Sequence, residues 1–210
     1  MSAMNLATLG AGFSDLSRGS QAVFRSVLSA FSYPGTCVEV VSDAEVPDTA
    51  RSASAAVLLA LLDAETPLWL SPGLAGTNAA NWLRFHTGCT LVDSPEQAQF
   101  LWVADLDELP DLAQLCTGTD VSPELSVTCL IDVPGLSTVA QDQAWELTGP
   151  GIEDKAFLTI EAVSPSSRAR FLQQQHARQA LFPRGVDLVL ATSHGIVGLP
   201  RTTQISPSGV

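Results

Sequence analysis

Three stretches of the sequence place an arginine beside apolar residues or hydroxyls, where its guanidinium group has the chemistry to bind an oxyanion. One is the Phe24-Arg25 pair in an apolar helix pattern, and another is Arg84–Thr87, near a helix end before a glycine. The third, Arg201–Thr203, follows an apolar strand pattern directly. Planar guanidinium forks and neutral hydroxyls suit phosphate or phosphonate oxygens. The candidate anion-binding or interface residues are therefore Arg25, Arg84, His86, Thr87, Arg201, Thr202 and Thr203.

The overall charge gives these arginines a second interpretation. The chain has 22 acidic residues against nine arginines and a single lysine, and its formal net charge is −12. Each arginine can therefore pair with an acid, either within the fold or across a subunit interface. The negative field also repels an anionic substrate, unless scarce cations gather locally. The sequence leaves both roles open, an anion site and an architectural or interface role.

The same charge balance excludes two classes of partner. Nucleic-acid binding requires a basic face that neutralises phosphates, and anionic membranes repel an acidic surface. The longest apolar run, Ala55–Leu62, is far shorter than the roughly 20 residues that span a bilayer. Met1–Gly10 lacks the basic and apolar regions of a secretory signal. We therefore expect a soluble, cytoplasmic protein with no nucleic-acid or membrane partner.

Several common catalytic motifs are absent from the sequence. Asp15 stands where a third glycine would complete a dinucleotide fingerprint, and no phosphate-binding loop or nucleophile elbow occurs. The three histidines lack zinc-ligand spacing. A hydrolase would require Ser193 beside His194 and Asp187, but adjacent residues on a predicted hairpin point to opposite faces. The sequence therefore predicts no metal site and no catalytic residue, although a hydrolase remains a weaker alternative.

Lys155 is the one residue able to form a Schiff base with pyridoxal phosphate. It follows Glu153-Asp154, and these acids favour a charged, solvated ammonium over a nucleophilic amine. We therefore predict no cofactor. The four cysteines, at positions 37, 89, 116 and 129, lie in apolar or strand-like surroundings and are predicted to be buried reduced thiols.

Apolar spacing and turn residues divide the chain into alternating helices and strands. Ser14 is a predicted cap for a helix whose Val23, Phe24, Val27, Leu28 and Phe31 share one apolar face. Pro34-Gly35 ends that helix. Further helices are predicted over 53–63, 77–88 and 166–181, with another beginning at Ser94-Pro95-Glu96. Strands are predicted over 37–41, 67–71, 100–104, 127–133, 145–148, 157–163, 186–192 and 196–199.

This alternation predicts an α/β fold with three layers, a mixed sheet flanked by helices. Helices and strands alternate in the first half, and strands dominate the second. No repeat or low-complexity stretch interrupts the chain, so residues 1–210 are predicted to form a single domain. Residues 1–13 and 206–210 are expected to be a flexible N-terminal segment and a flexible tail.

The same arginine-containing stretches resemble the PhnH family of the bacterial carbon–phosphorus lyase system. The resemblance runs in order along nearly the whole chain, from about Ser14 to Ile205. Several separate motifs in register make it specific. The matching residues are Phe24, Arg25, Leu28, Ala30, Pro34 and Gly35; Thr66, Pro67, Trp69 and Leu70; Arg84–Thr87; Ser94–Ala98; Thr117–Thr119; Leu147–Gly149, Gly151 and Ile152; Phe182, Pro183, Gly185, Asp187 and Leu188; and Pro200–Thr203.

The resemblance implies a fold similar to the large domain of pyridoxal-phosphate transferases, without the cofactor. It also implies a homodimer that joins PhnG-, PhnI- and PhnJ-type sister subunits. The resemblance further implies that PhnH-type subunits, with PhnG-, PhnI- and PhnL-type proteins, support displacement of adenine from ATP by an alkylphosphonate, which forms a ribose 1-alkylphosphonate 5-triphosphate within the complex. ATP and alkylphosphonate are thus ligands of the complex, and the resemblance carries over no catalytic residue. The implied role is an accessory subunit, and the alternative is a substrate-binding or catalytic subunit with an arginine-lined anion site.

Overall fold

The computed structural model describes residues 9–179 and 181–208, which form four α-helices and eleven β-strands. The helices are α1 (Leu16–Ser32), α2 (Ser52–Leu61), α3 (Asn78–Thr87) and α4 (Pro165–Gln179). The strands are β1 (Val38–Glu39), β2 (Pro67–Leu70), β3 (Thr90–Leu91), β4 (Phe100–Val103), β5 (Thr128–Asp132), β6 (Leu136–Ser137), β7 (Trp145–Thr148), β8 (Ala156–Ile160), β9 (Asp187–Ala191), β10 (Gly195–Leu199) and β11 (Gln204–Pro207).

The larger of two sheets has the strand order β1-β10-β9-β5-β4-β2-β3. Strands β2, β3, β4, β5 and β9 are parallel, whereas β10 pairs antiparallel with both β9 and β1. The mixed α/β sheet predicted from the sequence is therefore confirmed, as is the β9–β10 hairpin. A second, antiparallel sheet has the order β11-β7-β8-β6, and the sequence pattern does not separate it from the first.

Three helices, α1, α2 and α3, pack on one face of the larger sheet. The central helix α2 is buried from Ala53 to Leu59, because its alanine, valine and leucine side chains leave no polar face for solvent. Trp82 of α3 and Trp102 of β4 belong to the same core. We refer to α1, α2 and α3 together as the helical layer.

The opposite face of the larger sheet is covered mainly by the second sheet. Leu101 and Ile131 of the larger sheet share a core with Trp145 of β7 and with Phe171 of α4. Short 3₁₀ turns between residues 106 and 125 complete this side. The prediction of a sheet flanked by helices is therefore right for one face and incomplete for the other.

Helix α1 begins later than predicted and buries less of its apolar face. Asp15, rather than Ser14, is the N-cap, and its carboxylate accepts a hydrogen bond from the Arg18 main-chain N–H at 3.0 Å. Val23, Val27 and Ala30 are buried, whereas Phe24 is 45% exposed and Leu28 is 50% exposed. The apolar face of α1 is thus wider than the sheet beneath it can cover.

Gly198 of β10 explains how closely α1 lies on the sheet. A Cβ atom at this position would stand only 2.7 Å from the main-chain carbonyl carbon and oxygen of Ala30. No other residue type fits there without displacing the helix. This close contact fixes the distance between α1 and the central strands.

Other differences from the prediction lie where elements are short. Ser94-Pro95-Glu96 opens only a single 3₁₀ turn, Pro95–Gln97, because β4 begins three residues later and leaves no room for an α-helix. At the chain ends, residues 1–8 and 209–210 lie outside the described residues, whereas Leu9 is buried and Ser206 and Pro207 belong to β11 rather than to a tail. No helix within the described ranges is long and apolar enough to span a bilayer.

Candidate functional site

Arg201 is held by protein acceptors at the turn between β10 and β11. Its Nε and Nη2 atoms lie 3.2 and 2.5 Å from the two carboxylate oxygens of Asp187, and its main-chain N–H donates to the same carboxylate at 2.8 Å. Nη1 donates to the Pro123 carbonyl and Nη2 to the Ser126 hydroxyl, each at 2.6 Å. The guanidinium group is thus hydrogen-bonded on several sides to the chain itself, and its side chain is only 16% exposed.

Arg201 lies at the centre of two connected surface loops. The loop 117–126 and the loop 181–186 are joined by the Gly185 N–H, which donates to the Thr117 carbonyl at 3.0 Å. Arg184 Nε also lies 3.2 Å from an Asp120 carboxylate oxygen. A Cβ atom at Gly185 would stand 2.7 Å from Cβ of Arg201, which explains the need for glycine. Arg201 therefore organises the loops at the amino-terminal ends of β5 and β9.

The two hydroxyl residues after Arg201 have different surroundings. Thr203 is buried, and its hydroxyl has no hydrogen-bond partner among the described residues. The carbonyl of the half-buried Thr202 lies close to Gly149, where a Cβ atom would approach it to 2.8 Å. The Arg201 guanidinium group donates to Asp187, Pro123 and Ser126, and neither hydroxyl is among these acceptors.

His86 and Thr87, in the last turn of α3, contact main-chain groups. His86 Nε2 lies 3.1 Å from the Gly10 carbonyl, and its ring meets the Trp82 and Phe85 rings edge-on at 5.1 Å. Thr87 Oγ1 donates to the Leu83 carbonyl at 2.8 Å and accepts from the Cys89 N–H at 3.1 Å. These contacts fix the segment before α1 and the end of α3.

Arg25 and Arg84 differ from Arg201 in their surroundings. Both side chains are exposed, and neither lies within ion-pair distance of any acid in the described part of the chain. Arg25 lies on α1 and Arg84 near the end of α3, so both belong to the helical layer. They are the two candidate arginines whose guanidinium groups remain available to another molecule.

The seven candidate residues do not form one cluster. Arg201 lies beside β9, whereas Arg84, His86 and Thr87 precede β3, which is four positions away in the strand order. Neighbouring strands are about 4.8 Å apart, so roughly 19 Å of sheet separates the two groups. The structure therefore brings together Arg84, His86 and Thr87 on one helix, and separates them from Arg201, Thr202 and Thr203.

The hydrolase arrangement is not formed. Asp187 begins β9 and binds Arg201, while His194 follows the other end of that strand. Five strand residues at about 3.3 Å each separate the two groups by more than 13 Å. Ser193, His194 and Asp187 therefore cannot act as a triad.

Lys155 is an exposed, paired cation. Its Nζ atom lies 3.2 Å from a carboxylate oxygen of Glu146 and 5.5 Å from the centre of the Phe157 ring. The sequence places Glu153 and Asp154 next to it, but its ion-pair partner comes instead from the neighbouring strand β7, because β7 and β8 pair antiparallel. The ammonium group thus lies at the surface in an ion pair, rather than enclosed in an apolar pocket.

Two acidic groups at the carboxyl ends of the parallel strands were not among the candidates predicted from the sequence. Asp132 ends β5 beneath α2, is 5% exposed, and accepts a hydrogen bond from Trp102 Nε1 at 3.2 Å. Burial raises the pKa of Asp132 to about 6, although hydrogen bonds from Ser54 and Trp102 partly oppose this shift. An aspartate inside the apolar run 127–133 is the sequence signal that identifies it.

Glu108 occupies the crevice between the ends of β2 and β4. Its carboxylate accepts hydrogen bonds from the Ser71 hydroxyl at 2.5 Å and from the Gly73 N–H at 2.9 Å. This is the point where the strand order reverses, the usual ligand position in open α/β sheets. The chain's own carboxylate fills it, and no local pattern in the sequence predicts this pairing.

Two of the four cysteines are exposed, and a cleft lies beside α4. Cys89 and Cys129 are buried thiols as predicted, whereas Cys37 and Cys116 are exposed, contrary to the prediction. Among the described residues, no three His, Cys, Asp or Glu side chains are grouped to hold a metal ion. A cleft of about 550 Å³ runs between α4 and the 109–113 segment, and none of the seven candidate residues lines it.

Comparison with known proteins gives the family. The model of the family described as bacterial phosphonate metabolism protein (PhnH) matches residues 11–206. This chain belongs to the PhnH family. A PhnH-family relative in Rhizobium meliloti (strain 1021), named alpha-D-ribose 1-methylphosphonate 5-triphosphate synthase subunit PhnH, is 34% identical over 193 residues. That match covers 92% of this chain and 93% of the relative.

A second relative carries a related name. HtxG of Stutzerimonas stutzeri, named as a proposed C-P lyase subunit, is 32% identical over 189 residues, covering 90% of this chain and 87% of HtxG. Both matches extend over the helical layer and both sheets, so the PhnH-family resemblance is not confined to one motif. The two relatives are both described as subunits rather than as independent enzymes.

Proposed function

We propose that this chain is a subunit of a multi-subunit synthase that transfers ribose triphosphate from ATP to an alkylphosphonate, with release of adenine, during phosphonate catabolism. The observation that carries the proposal is the match to the Rhizobium synthase subunit, which covers 92% of this chain. In this proposal the chain is necessary for the reaction, and the chemical step takes place on sister subunits of the PhnG, PhnI and PhnJ types.

The geometry of the candidate residues favours this accessory role over an arginine-lined anion site. Arg201 is bound by Asp187, Pro123 and Ser126, so it has a structural partner where an anion would bind. Arg84 precedes β3, which is four strand positions from β9, the strand beside Arg201. The candidates include no acid, and their one histidine, His86, is bound through Nε2 to the Gly10 carbonyl, so no acid–base pair is formed among them.

The resemblance also supports proposals about the oligomeric state, the cellular location and the fold type of the chain. We propose that the chain forms a homodimer outside the complex, acts in the cytoplasm, and has a three-layer core akin to the large domain of pyridoxal-phosphate transferases without using that cofactor. The ion pair between Lys155 and Glu146 supports the last point, because it leaves no desolvated lysine for a Schiff base.

Subunit membership is testable by assembly. The chain is co-expressed with its PhnG-, PhnI- and PhnJ-type sister subunits, purified through a tag on one sister, and examined by native mass spectrometry. We expect a stoichiometric complex that contains this chain. A complete sister complex that never retains it, at any protein concentration used, contradicts the proposal.

Substitution of single arginines distinguishes the accessory role from its alternative. If Arg84 binds an anionic substrate, R84A weakens ATP or methylphosphonate binding while the complex still assembles. If Arg84 has an interface role, R84A reduces assembly and leaves binding by the assembled complex unchanged. We expect the second result, because the nearest candidate hydroxyl in the sequence, that of Thr87, already donates to the Leu83 carbonyl at 2.8 Å.

A further inference from the structure

The helices of this acidic chain carry no acidic residue. None of the 22 acids lies within α1, α2, α3 or α4, whereas six of the nine arginines do. The acids instead occupy strands and loops. The arginines of these helices therefore have no acidic residue on their own helix, although the formal net charge of the whole chain is −12.

On α1 one of these arginines adjoins exposed apolar side chains. Phe24 and Leu28 are one helical turn apart, so their side chains are neighbours, and they are 45% and 50% exposed. Arg25 lies beside them and has no ion pair with a described acid. On α3, Phe85 is 54% exposed and follows Arg84, which is likewise without an ion pair in the described ranges.

A competing apolar patch lies on the loops around Arg201. Val121, Leu125 and Phe182 are 93%, 58% and 65% exposed. The arginine of this patch, Arg184, already lies 3.2 Å from Asp120, so no unpaired cation there specifies the charge of a partner. The α1 surface, by contrast, combines exposed apolar area with an available guanidinium group.

We propose that Phe24, Arg25 and Leu28 form the surface through which this chain docks on a sister subunit. The partner presents an apolar patch with an acidic rim that receives the Arg25 guanidinium group. This inference rests on the proposed function, because it assigns the contact that subunit membership requires. We call these three residues the α1 docking surface.

Charge complementarity explains why the partner presents an acidic rim to the α1 docking surface. A chain with a net charge of −12 repels an acidic protein at long range, so an acidic partner is accepted only at a cationic contact point. Arginine and phenylalanine are favoured at interface centres because both give large contact area and arginine adds directed hydrogen bonds. Association would also cover the apolar flank of α1 that the fold leaves half exposed.

The test compares matched substitutions at equally accessible positions. L28E and R25E alter the α1 docking surface, V139E places the same charge at a 66% exposed valine elsewhere, and V121E alters the competing patch. Binding of each variant to the purified complex of PhnG-, PhnI- and PhnJ-type subunits is measured by calorimetry. Circular dichroism and urea unfolding check that each variant folds.

We expect L28E and R25E to raise Kd by about tenfold or more, and V139E and V121E to change it by no more than about twofold. The R25E effect should shrink as salt rises from about 0.05 to 0.5 M, because salt screens charge pairs. The L28E effect should persist, because burial of apolar surface is not screened.

Other outcomes overturn the α1 docking surface, and they show whether subunit membership fails with it. If wild-type chain binds and L28E and R25E bind equally well, the chain is a subunit but docks elsewhere. If V121E alone weakens binding, the Arg201 loops are the contact. If L28E changes only self-association of the chain, α1 meets a second copy. Failure of the wild-type chain itself to bind contradicts the proposed function.

Discussion

Arg201 shows how a residue suited to anion binding can serve a structural role. Its side chain donates hydrogen bonds to a carboxylate, a hydroxyl and a main-chain carbonyl, and so joins Asp187 of β9 to Pro123 and Ser126 in the preceding loop. These contacts come from chain segments 14 to 78 residues away in sequence. The motif Pro200–Thr203 is visible in the sequence, but its partners are not.

Replacement of Arg201 should therefore lower stability. R201A removes the Asp187 pair and leaves that half-buried carboxylate without its cation, which we expect to cost about 2 to 4 kcal/mol of unfolding free energy. R25A, at an exposed arginine, should change stability by less than about 0.5 kcal/mol. Urea unfolding followed by circular dichroism measures both. An unchanged midpoint for R201A, together with lost ATP binding, would favour an anion site.

Asp132 makes stability depend on pH in a predictable direction. Burial raises its pKa from 3.8 to about 6, so the folded state holds this proton more tightly than the unfolded state. The group therefore stabilises the protein fully below about pH 4, and this contribution is lost as pH rises to about 6. A shift of roughly 2 units corresponds to about 3 kcal/mol.

The D132N variant isolates this contribution from the other titrating groups. Unfolding free energies of wild-type protein and D132N are measured between pH 4 and pH 8. As pH rises from 4 to 6, the wild-type value should fall relative to that of D132N, and the difference should then stay constant. Parallel curves over the whole range would show that Asp132 titrates normally.

At the scale of elements, long apolar segments were predictable and short ones were not. Strands β4, β5, β9 and β10 were predictable because each is an apolar run bounded by turn residues. The end of α3 was predictable because Gly88 adopts the left-handed conformation that terminates helices. The two-residue strands β3 and β6 carry no periodic signal, because pairing with neighbours alone defines them. Half exposure of Phe24 and Leu28 was likewise unpredictable, since helical spacing does not reveal how wide the underlying sheet is.

The contact of α1 with β10 gives a prediction for these two elements. G198A places a methyl group 2.7 Å from the Ala30 carbonyl, which should displace α1 and cost about 1 to 3 kcal/mol. G76A is the control, because no atom lies within 4 Å of its added Cβ and only the positive φ of 75° is unfavourable there. Urea unfolding of both variants, with binding to the sister subunits, measures the effect.

We expect G198A to weaken docking as well as stability, because the α1 docking surface moves with the helix. G76A should lower stability by about 1 kcal/mol and leave docking unchanged. If G198A binds the sister subunits as tightly as wild-type chain while α1 is displaced, the position of α1 does not determine association. That result would count against the α1 docking surface.

At the scale of the whole molecule, charge distribution reconciles an acidic chain with a pathway of anionic substrates. The acids lie in strands and loops, and the cations lie mainly on helices. Such a chain repels anions over much of its surface, yet it retains on the helical layer two arginines, Arg25 and Arg84, that have no ion pair with a described acid. The family was recognisable from motif order alone, whereas this separation of charge by element required the structure.

We propose that this chain is an obligatory subunit and that the catalytic centre lies on its sister subunits. Adenine release from ATP and methylphosphonate tests it most directly, measured in the presence of the PhnL-type protein with the chain alone, the sister subunits alone and the two combined. We predict release only from the combination, because the candidate residues are either separated across the sheet or bound by the chain itself. Release by the chain alone, or full release by the sister subunits without it, would contradict the account.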